Sequence, residues 1–220
     1  MAHEQRGSGG FTEYYKIRDG QFFMESKEPK EGYVERVKKS LKKTYEKFLD
    51  YDLSGKIVGL EITSFDYAGQ IIENLEITLR DIDEIYKIQL DLFGRYSQTF
   101  FNQLPNIDLT KKVLLSPAKN VKDGKESIAL FVKQDGQNLK FHYTKAEPNG
   151  MPQMIALTKP NGQPVLKDGK QVWDSEDREI FIREVYRQYA KKLEEPADLL
   201  EDVDVEVFSK SVPNSDDLPF

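Results

Sequence analysis

A chain of 220 residues is long enough for one large domain with a substantial hydrophobic core. It has no cysteine, which excludes disulfides and thiolate chemistry, and two histidines, which leave little for a zinc site or a histidine-dependent catalytic site. No apolar run reaches the roughly 18 residues of a membrane-spanning helix, and residues 1–10 lack a signal-peptide pattern, so we expect a cytoplasmic protein without membrane contact.

The charge is concentrated near the C-terminal end of the sequence. The net charge is −6, and the segment 198–220 holds seven acidic residues against one lysine, so the rest of the chain sums to about zero. A negative net charge of the whole chain would argue against a nucleic-acid partner. This argument fails when the acidic residues are confined to one segment. We therefore expect residues 198–220 to form a flexible acidic tail.

The N-terminal part of the chain predicts a disordered start, a hairpin and a helix. Residues 1–10 are polar and glycine-rich, which favours disorder. Asp19 and Gly20 split two aromatic-rich stretches over residues 11–26 and indicate a β-hairpin. Apolar residues at helical spacing over residues 32–49 predict an amphipathic helix with lysines between them.

The pattern then changes to alternation, which predicts half-buried strands. We expect strands over residues 56–65, 71–79 and 85–93, and then a short helix over residues 94–104 that ends at Pro105. The residues predicted to face the core from these strands are Val58, Leu60, Ile62, Leu75, Ile77, Leu79, Tyr86, Ile88, Leu90 and Leu92.

The second half of the chain predicts three more strands and a closing helix. The strands are expected over residues 111–117, 126–134 and 138–144, with Asp135-Gly136 as the turn of the last hairpin. A proline- and glycine-rich irregular excursion follows. A helix over residues 175–195 then begins at a cap on Asp174 or Ser175, and its predicted end lies just before Pro196.

Three strands, a short helix and further strands are the order of an OB-fold, a small Greek-key barrel that binds oligonucleotides. We predict a mainly β fold with helices: a β-barrel of the elaborated OB type, with an N-terminal hairpin and helix, a C-terminal helix and a disordered tail. Other small barrels and α+β sheets also fit this order. The predicted domain, residues 11–197, consists of an N-terminal extension (11–54), a barrel core (55–145), the irregular excursion (146–172) and the closing helix (174–195).

Catalysis has little support in the sequence. There is no Gly-rich phosphate loop and no serine in a nucleophile elbow, and we expect no enzyme activity, no cofactor and no metal. Asp81, Asp83 and Glu84 are better explained as a solvated acidic turn than as a metal site. The acids at the start of the closing helix are explained by the helix dipole.

Binding has better support. Between Thr110 and Ala146 there are eight lysines and three acidic residues, and the alternation places Phe131 beside Lys133 on the outer face of its strand. Lysines neutralise phosphates, and exposed rings stack on unpaired bases. The candidate DNA-binding residues are Lys87, Lys112, Lys119, Lys122, Lys125, Phe131, Lys133, Lys140, His142, Tyr67 and Trp173.

Each of these residues also has a structural explanation. Phe131 could cover a second layer under the closing helix, and lysines beside strands often only protect sheet edges. Trp173, at the head of a helix, could simply pack there. His142 is also compatible with an ordinary sheet or surface position.

The last five residues, Asp216, Asp217, Leu218, Pro219 and Phe220, resemble the acidic tip of bacterial single-stranded DNA-binding proteins. The size and the elaborated barrel are more similar to phage-encoded single-stranded DNA-binding proteins, which also combine an OB-fold with an acidic tail. The resemblance implies a replication, recombination and repair protein in the cytoplasm of a bacterium or a phage-infected host. It coats single strands without sequence preference, and the tip recruits partners such as polymerase, helicase or primase.

Several alternatives stay open at this point. The acidic tail could compete with DNA for the basic groove, or it could merely keep a structural or assembly β-domain soluble. An RNA-binding OB protein is equally compatible with stacking and phosphate contacts. Residues 11–50 could pack on the barrel, extend the groove or form a homodimer contact.

Overall fold

The computed structural model describes residues 12–38, 40–82 and 84–194. Within these ranges the fold is mainly β, with a mixed ten-stranded sheet. Its strands are β1 (Thr12–Arg18), β2 (Gln21–Ser26), β3 (Val34–Val37), β4 (Lys43–Phe48), β5 (Leu53–Tyr67), β6 (Gln70–Asp81), β7 (Glu84–Asp91), β8 (Lys112–Lys122), β9 (Lys125–Gln134) and β10 (Gln137–Asn138).

The remaining elements are two helices and two small hairpin-like sheets. Helix α1 (Arg95–Gln103) runs into a 3-10 turn (Leu104–Asn106), and helix α2 (Glu176–Glu194) closes the described part of the chain. The small sheets pair β11 (Ile155–Ala156) with β14 (Trp173–Asp174), and β12 (Leu166–Lys167) with β13 (Lys170–Gln171). None of the described helices is long and apolar enough to cross a membrane.

The strand order of the large sheet is β10-β9-β8-β5-β6-β7-β1-β2-β4-β3. Strands β5, β6 and β7 form an antiparallel meander, and after α1 the chain returns so that β8 pairs with β5. The resulting order β8-β5-β6-β7 is a Greek key. The pairing of β1 with β7 is parallel, which joins the N-terminal strands to the free edge of the meander.

The predicted closed barrel is not confirmed by the described residues, because no backbone ladder joins the two edges of the Greek key. The edge of β7 is occupied by β1. The edge of β9 is covered by α1, where Gln103 accepts a hydrogen bond from the Val132 amide and donates one to the Leu130 carbonyl. The Thr99 hydroxyl accepts a hydrogen bond from the Leu130 amide.

The sheet nevertheless curls far enough for the turn between β1 and β2 to touch β8. A Cβ on Gly20 would lie 2.6 Å from the Lys119 amide nitrogen, and Gly20 has a φ of +80°, so only glycine fits there. Asp19, beside it, forms an ion pair with Lys119. The turn thus brings the N-terminal strands against the other side of the Greek key.

The core confirms most of the predicted inward faces. Leu75, Ile77, Leu79, Ile88, Leu90 and Leu92 are all buried, and Tyr86 is half-buried. The prediction for β5 is partly wrong, because a β-bulge between Ile57 and Gly59 shifts the alternation. Ile57 and Leu60 are therefore buried and Val58 is only half-buried.

The predicted helix over residues 32–49 is wrong, because this segment forms the β3–β4 hairpin. Pairing of β4 with β2 packs Phe48 against Phe23, with ring centroids 5.4 Å apart, and buries Glu46 beside Arg18. A helix would have buried Val34 and Val37, which are exposed here. Contacts across the sheet therefore override the helical spacing.

The predicted strand over residues 138–144 is also wrong beyond its first residue. The hairpin turn at Asp135-Gly136 is confirmed, with positive φ at both residues, but β10 ends at Asn138. The chain then leaves the sheet because Tyr143 stacks on Phe101 of α1, with ring centroids 4.8 Å apart. This packing moves Lys140 and His142 off the sheet.

The two predicted helices near residues 94–104 and 175–195 are confirmed as α1 and α2. Helix α2 packs against β5 and α1, where the Tyr186 hydroxyl donates a 3.2 Å hydrogen bond to the Ser97 carbonyl. Burial raises the pKa of Tyr186 well above its usual value. One face of the Greek key is thereby covered by helices, and the other is left open.

Candidate functional site

Five of the predicted lysines lie on the β8–β9 hairpin. Lys122 and Lys125 are Cα partners beside the turn at its tip, and both are exposed. Lys112 is paired with Asp81 at 2.5 Å. Lys119 is paired with Asp19 at 2.7 Å and with Glu126 at 2.9 Å, and both acids raise its pKa. The tip lysines have no ion-pair partner among the described residues.

On β9, Phe131 pairs with Ser116 of β8, and the fifth lysine, Lys133, pairs with Leu114. Both lie on the side of the hairpin that faces away from the core. Both side chains are half-buried, and Phe131 is not a member of the hydrophobic core cluster of the described residues. The predicted outward direction of Phe131 is therefore confirmed.

The other predicted residues are scattered over the molecule. Lys140 is exposed and His142 packs edge-to-face on Tyr143, both outside the sheet. Trp173 is half exposed and lines a separate cleft that also includes Met154 and Arg178. The predicted set therefore does not form one continuous surface.

Tyr67 and Lys87 lie on the Greek key itself. Tyr67 is at the turn between β5 and β6 and is 61% exposed. The Lys87 ammonium lies 5.9 Å from the centre of the Tyr14 ring and 2.5 Å from the Glu76 carboxylate, whose hydrogen bond raises the pKa of Lys87. Lys87 therefore lies on the open face of β7, beside the N-terminal strands.

A cleft with basic and aromatic side chains, not predicted from the sequence, lies on this open face. We call the face that carries Tyr14, Lys16, Arg18, Glu76 and Gln89 the outer face, because these residues alternate along β1, β6 and β7 with the buried residues of the core. The cleft has a volume of about 410 Å³, within the range of ligand pockets. We call it the arginine cleft; its main lining residues are Lys16, Arg18, Phe23, Arg36, Phe65 and Gln89.

The charges that line the arginine cleft are mostly positive. Lys16, Arg18 and Arg36 face a single lining acid, Asp91, among the described residues. The carboxylate that pairs with both arginines, Glu46, does not line the cleft, since its side chain is only 4% exposed. Lys16 is likewise paired, at 3.0 Å, with Glu25, which does not line the cleft, so the cleft presents three cations to a ligand, each beside an acidic partner.

The two arginines are held in place by this buried carboxylate. The Arg18 Nη1 atom lies 2.9 Å from Glu46 Oε1, its Nη2 atom bonds to Oε2, and Arg36 Nη1 lies 3.1 Å from Oε1. The Arg18 guanidinium also lies over the rings of Phe23 and Phe48, at 4.7 and 4.9 Å from their centres. These contacts fix both guanidinium groups before any ligand arrives.

Phe65 provides an aromatic surface at the rim of the same cleft. It lies near the end of β5, on the outer face opposite Ile72 of β6, and it is 49% exposed. A second, smaller cleft continues along β1, shares Lys16 and Gln89 with the first, and adds Tyr14. Two acids, Glu25 and Glu76, also line the second cleft, where Glu25 pairs with Lys16, so rings and paired cations follow the outer face from Phe65 to Tyr14.

The arginine cleft could not be predicted from the sequence, because it depends on long-range strand pairing. Arg18 and Arg36 approach each other only because β4 pairs with both β2 and β3. In the helix predicted for residues 32–49, Arg36 would not belong to any sheet. The available signal was the alternation in β1, which places Tyr14, Lys16 and Arg18 on one face.

The predicted partner-binding residues Asp216, Asp217, Leu218, Pro219 and Phe220 lie outside the described residues. Across residues 12–38, 40–82 and 84–194 there is no cluster of three or more side chains that could hold a metal ion. Comparisons with protein-family models, with curated proteins and with solved structures found no match for this chain.

Proposed function

We propose that this protein binds single-stranded DNA without sequence preference and protects it during replication, recombination and repair. The observation that carries the proposal is the arginine cleft, where three cations and the exposed ring of Phe65 share one groove on an open sheet face. Cations neutralise the phosphates of the strand and release counterions, while rings stack on unpaired bases for about 1–3 kcal/mol each. Neither kind of contact reads the base sequence.

We also propose that the body of the protein is an elaborated OB-fold. The Greek key β8-β5-β6-β7, with α1 between its third and fourth strands, supports this assignment. OB-folds bind oligonucleotides on the face of strands 2 and 3 and on the loops that follow strands 1 and 4. The corresponding features here are the outer face of β6 and β7, the turn that carries Tyr67, and the hairpin tip that carries Lys122 and Lys125.

The acidic tail has two proposed roles, both based on its sequence. Its last residues, from Asp216 to Phe220, resemble a tip that recruits polymerase, helicase or primase. Its charge of −6 also attracts it to the cations that line the arginine cleft, so the tail competes with DNA for that cleft. This function implies the cytoplasm of a bacterium or of a phage-infected host.

The test is a fluorescence-anisotropy titration of the full chain with oligo-dT, oligo-U and duplex DNA over a series of salt concentrations. We expect tight binding of oligo-dT that weakens steeply as salt rises. Absence of oligo-dT binding at low salt would overturn the proposal. Preferred binding of oligo-U would indicate an RNA-binding protein instead, and equal binding of duplex would indicate a general nucleic-acid binder.

A matched pair of variants links binding to the cleft. Phe65→Ala removes the proposed stacking surface and should lower the affinity for oligo-dT roughly 5- to 150-fold, since one stacked base contributes about 1–3 kcal/mol. Phe141→Ala removes an exposed ring that lies off the sheet and should leave the affinity unchanged. Equal losses in both variants would contradict binding at the outer face.

A further inference from the structure

We infer that Arg18 and Arg36, the arginine pair, form a subsite for a backbone phosphodiester, so that the N-terminal strands β1–β4 supply part of the DNA path. The inference rests on the proposed function and assigns a role to a segment whose role the sequence left open. Both arginines belong to the strands that join the Greek key at the edge of β7.

Arg36 has hydrogen-bond donors that it does not use among the described residues, which favours the binding of an anion. A guanidinium has five N–H donors in a fixed fork. Among the described residues, Arg36 uses one of its nitrogens, Nη1, in a hydrogen bond to Glu46. Its side chain is 48% exposed, so its remaining donors are accessible from the cleft. A planar fork of this kind matches two oxygens of a phosphate.

The ion pairs of the cluster leave Arg36 as the more accessible of the two arginines. Arg18 contacts the buried carboxylate of Glu46 and also lies 4.0 Å from Asp19. Arg36 shares Glu46 with Arg18 and has no other acidic partner among the described residues. A phosphodiester would therefore give Arg36 an anionic partner of its own.

The surroundings of the pair favour a nucleotide over a free phosphate ion. Phe65 lines the same cleft, so a strand that places its phosphate on the arginines has a ring available for a neighbouring base. The amide of Gln89 also lines the cleft and can bond to a sugar or a base edge. A free phosphate would use none of these groups.

The deciding experiment compares Arg36→Gln with Arg187→Gln, which removes the same charge from an exposed position on α2. For R36Q we expect a roughly five- to tenfold loss of affinity for oligo-dT at low salt. The slope of log K against log salt should fall by about 0.7, as expected for one lost phosphate contact on a single strand. R187Q should match the wild type in both quantities.

Two further ligands identify what the pair binds. An abasic oligonucleotide keeps the backbone, so R36Q should lose the same fold of affinity for it, whereas Phe65→Ala should lose affinity for oligo-dT alone. Inorganic phosphate should not shift the melting temperature of the wild type at constant ionic strength. A phosphate-induced shift that R36Q loses, together with unchanged oligo-dT binding by R36Q, would indicate a free-phosphate site and overturn the inference.

The variant Arg36→Lys tests whether the effect of R36Q on binding comes only from a change in structure. It keeps the positive charge and should keep the salt slope of the wild type, with part of the affinity lost because the fork is gone. Wild-type affinity and slope in R36Q would overturn the inference while leaving the proposed function intact. Failure of the wild type to bind oligo-dT would overturn the proposed function itself.

Discussion

Gln103 takes the place of a neighbouring strand at the edge of β9. Its side-chain amide accepts a 2.9 Å hydrogen bond from the Val132 amide and donates one of the same length to the Leu130 carbonyl. The residue is fully buried, so water cannot substitute for it. An unpaired strand edge is a template for aggregation, and this helix side chain removes it.

Replacing Gln103 with leucine, which has a similar size, should therefore destabilise the protein strongly. The change leaves two buried backbone groups of β9 unpaired at about 1–3 kcal/mol each, so we expect a loss of about 2–5 kcal/mol in the free energy of unfolding. Urea denaturation measures it. Gln163→Leu, at an exposed position, should stay within about 0.5 kcal/mol of the wild type. Equal stability of the two variants would refute the role given to Gln103.

At the scale of elements, helix α2 is tied to the Greek key by an ion pair. The Arg183 guanidinium contacts both carboxylate oxygens of Glu73 on β6, the shortest distance being 2.6 Å, and it also lies over the Phe93 ring. Hydrogen bonding to Arg183 lowers the pKa of Glu73 below its ordinary value of 4.5. Because the folded pKa is the lower one, this pair stabilises the fold above pH 4.5, and the contribution disappears as the pH falls through the folded pKa.

Glu73→Gln should show this pH dependence directly. At pH 7 the variant should be less stable than the wild type by about 1 kcal/mol, a modest value because both side chains are partly exposed. At a pH below the folded pKa of Glu73 the two proteins should have the same stability. Thermal melts across this pH range provide the measurement, with Glu31→Gln as a control at an exposed acid. A difference that persists at low pH would mean that packing, not charge, is lost.

Local patterns were sufficient to predict most elements. The alternation of Leu75, Ile77 and Leu79 is uninterrupted, and the Asp-Gly turns at residues 19–20 and 135–136 adopt the positive φ that favours them. The β3–β4 hairpin could not be predicted in this way. Its buried Glu46 makes physical sense only once Arg18 of another strand lies opposite it.

The candidate site was predictable in its loops but not in its cleft. Tyr67 and the lysines near the β8–β9 turn sit next to hairpin turns, which sequence patterns locate well. The arginine cleft combines residues from strands β1, β2, β3, β5, β6 and β7 and from helix α1. No local pattern indicates that β1 pairs in parallel with the edge of β7, because parallel partners are far apart in the sequence.

At the scale of the whole molecule, the excess negative charge and the cations of the arginine cleft belong to different segments of the chain. Residues 198–220 carry −6, whereas the cleft is lined by three cations and one acid. Attraction between them is screened by salt, with a Debye length of about 10 Å at 0.1 M. Competition between the tail and DNA should therefore be a low-salt effect.

Deleting residues 198–220 should tighten oligo-dT binding at low salt and leave it nearly unchanged at high salt. Anisotropy titrations of the full and shortened chains measure the difference. The control replaces the same residues with an uncharged Gly/Ser segment of equal length, which should behave like the deletion. If the shortened chain binds equally or more weakly at low salt, the tail does not compete for the cleft.

The parallel pairing of β1 with β7 also sets an order of events during synthesis on the ribosome. The partners of Thr12 to Tyr15 are Ile85 to Ile88, about 70 residues later in the chain. At roughly 5–20 residues per second, the nascent hairpin waits several seconds before its partner strand exists. The large loop that must close makes this docking a late step, because its entropy is lost before the contacts form. Strands β1–β4, which carry Arg18 and Arg36, can pair with one another before that step, but the arginine cleft is completed only when β1 docks on β7.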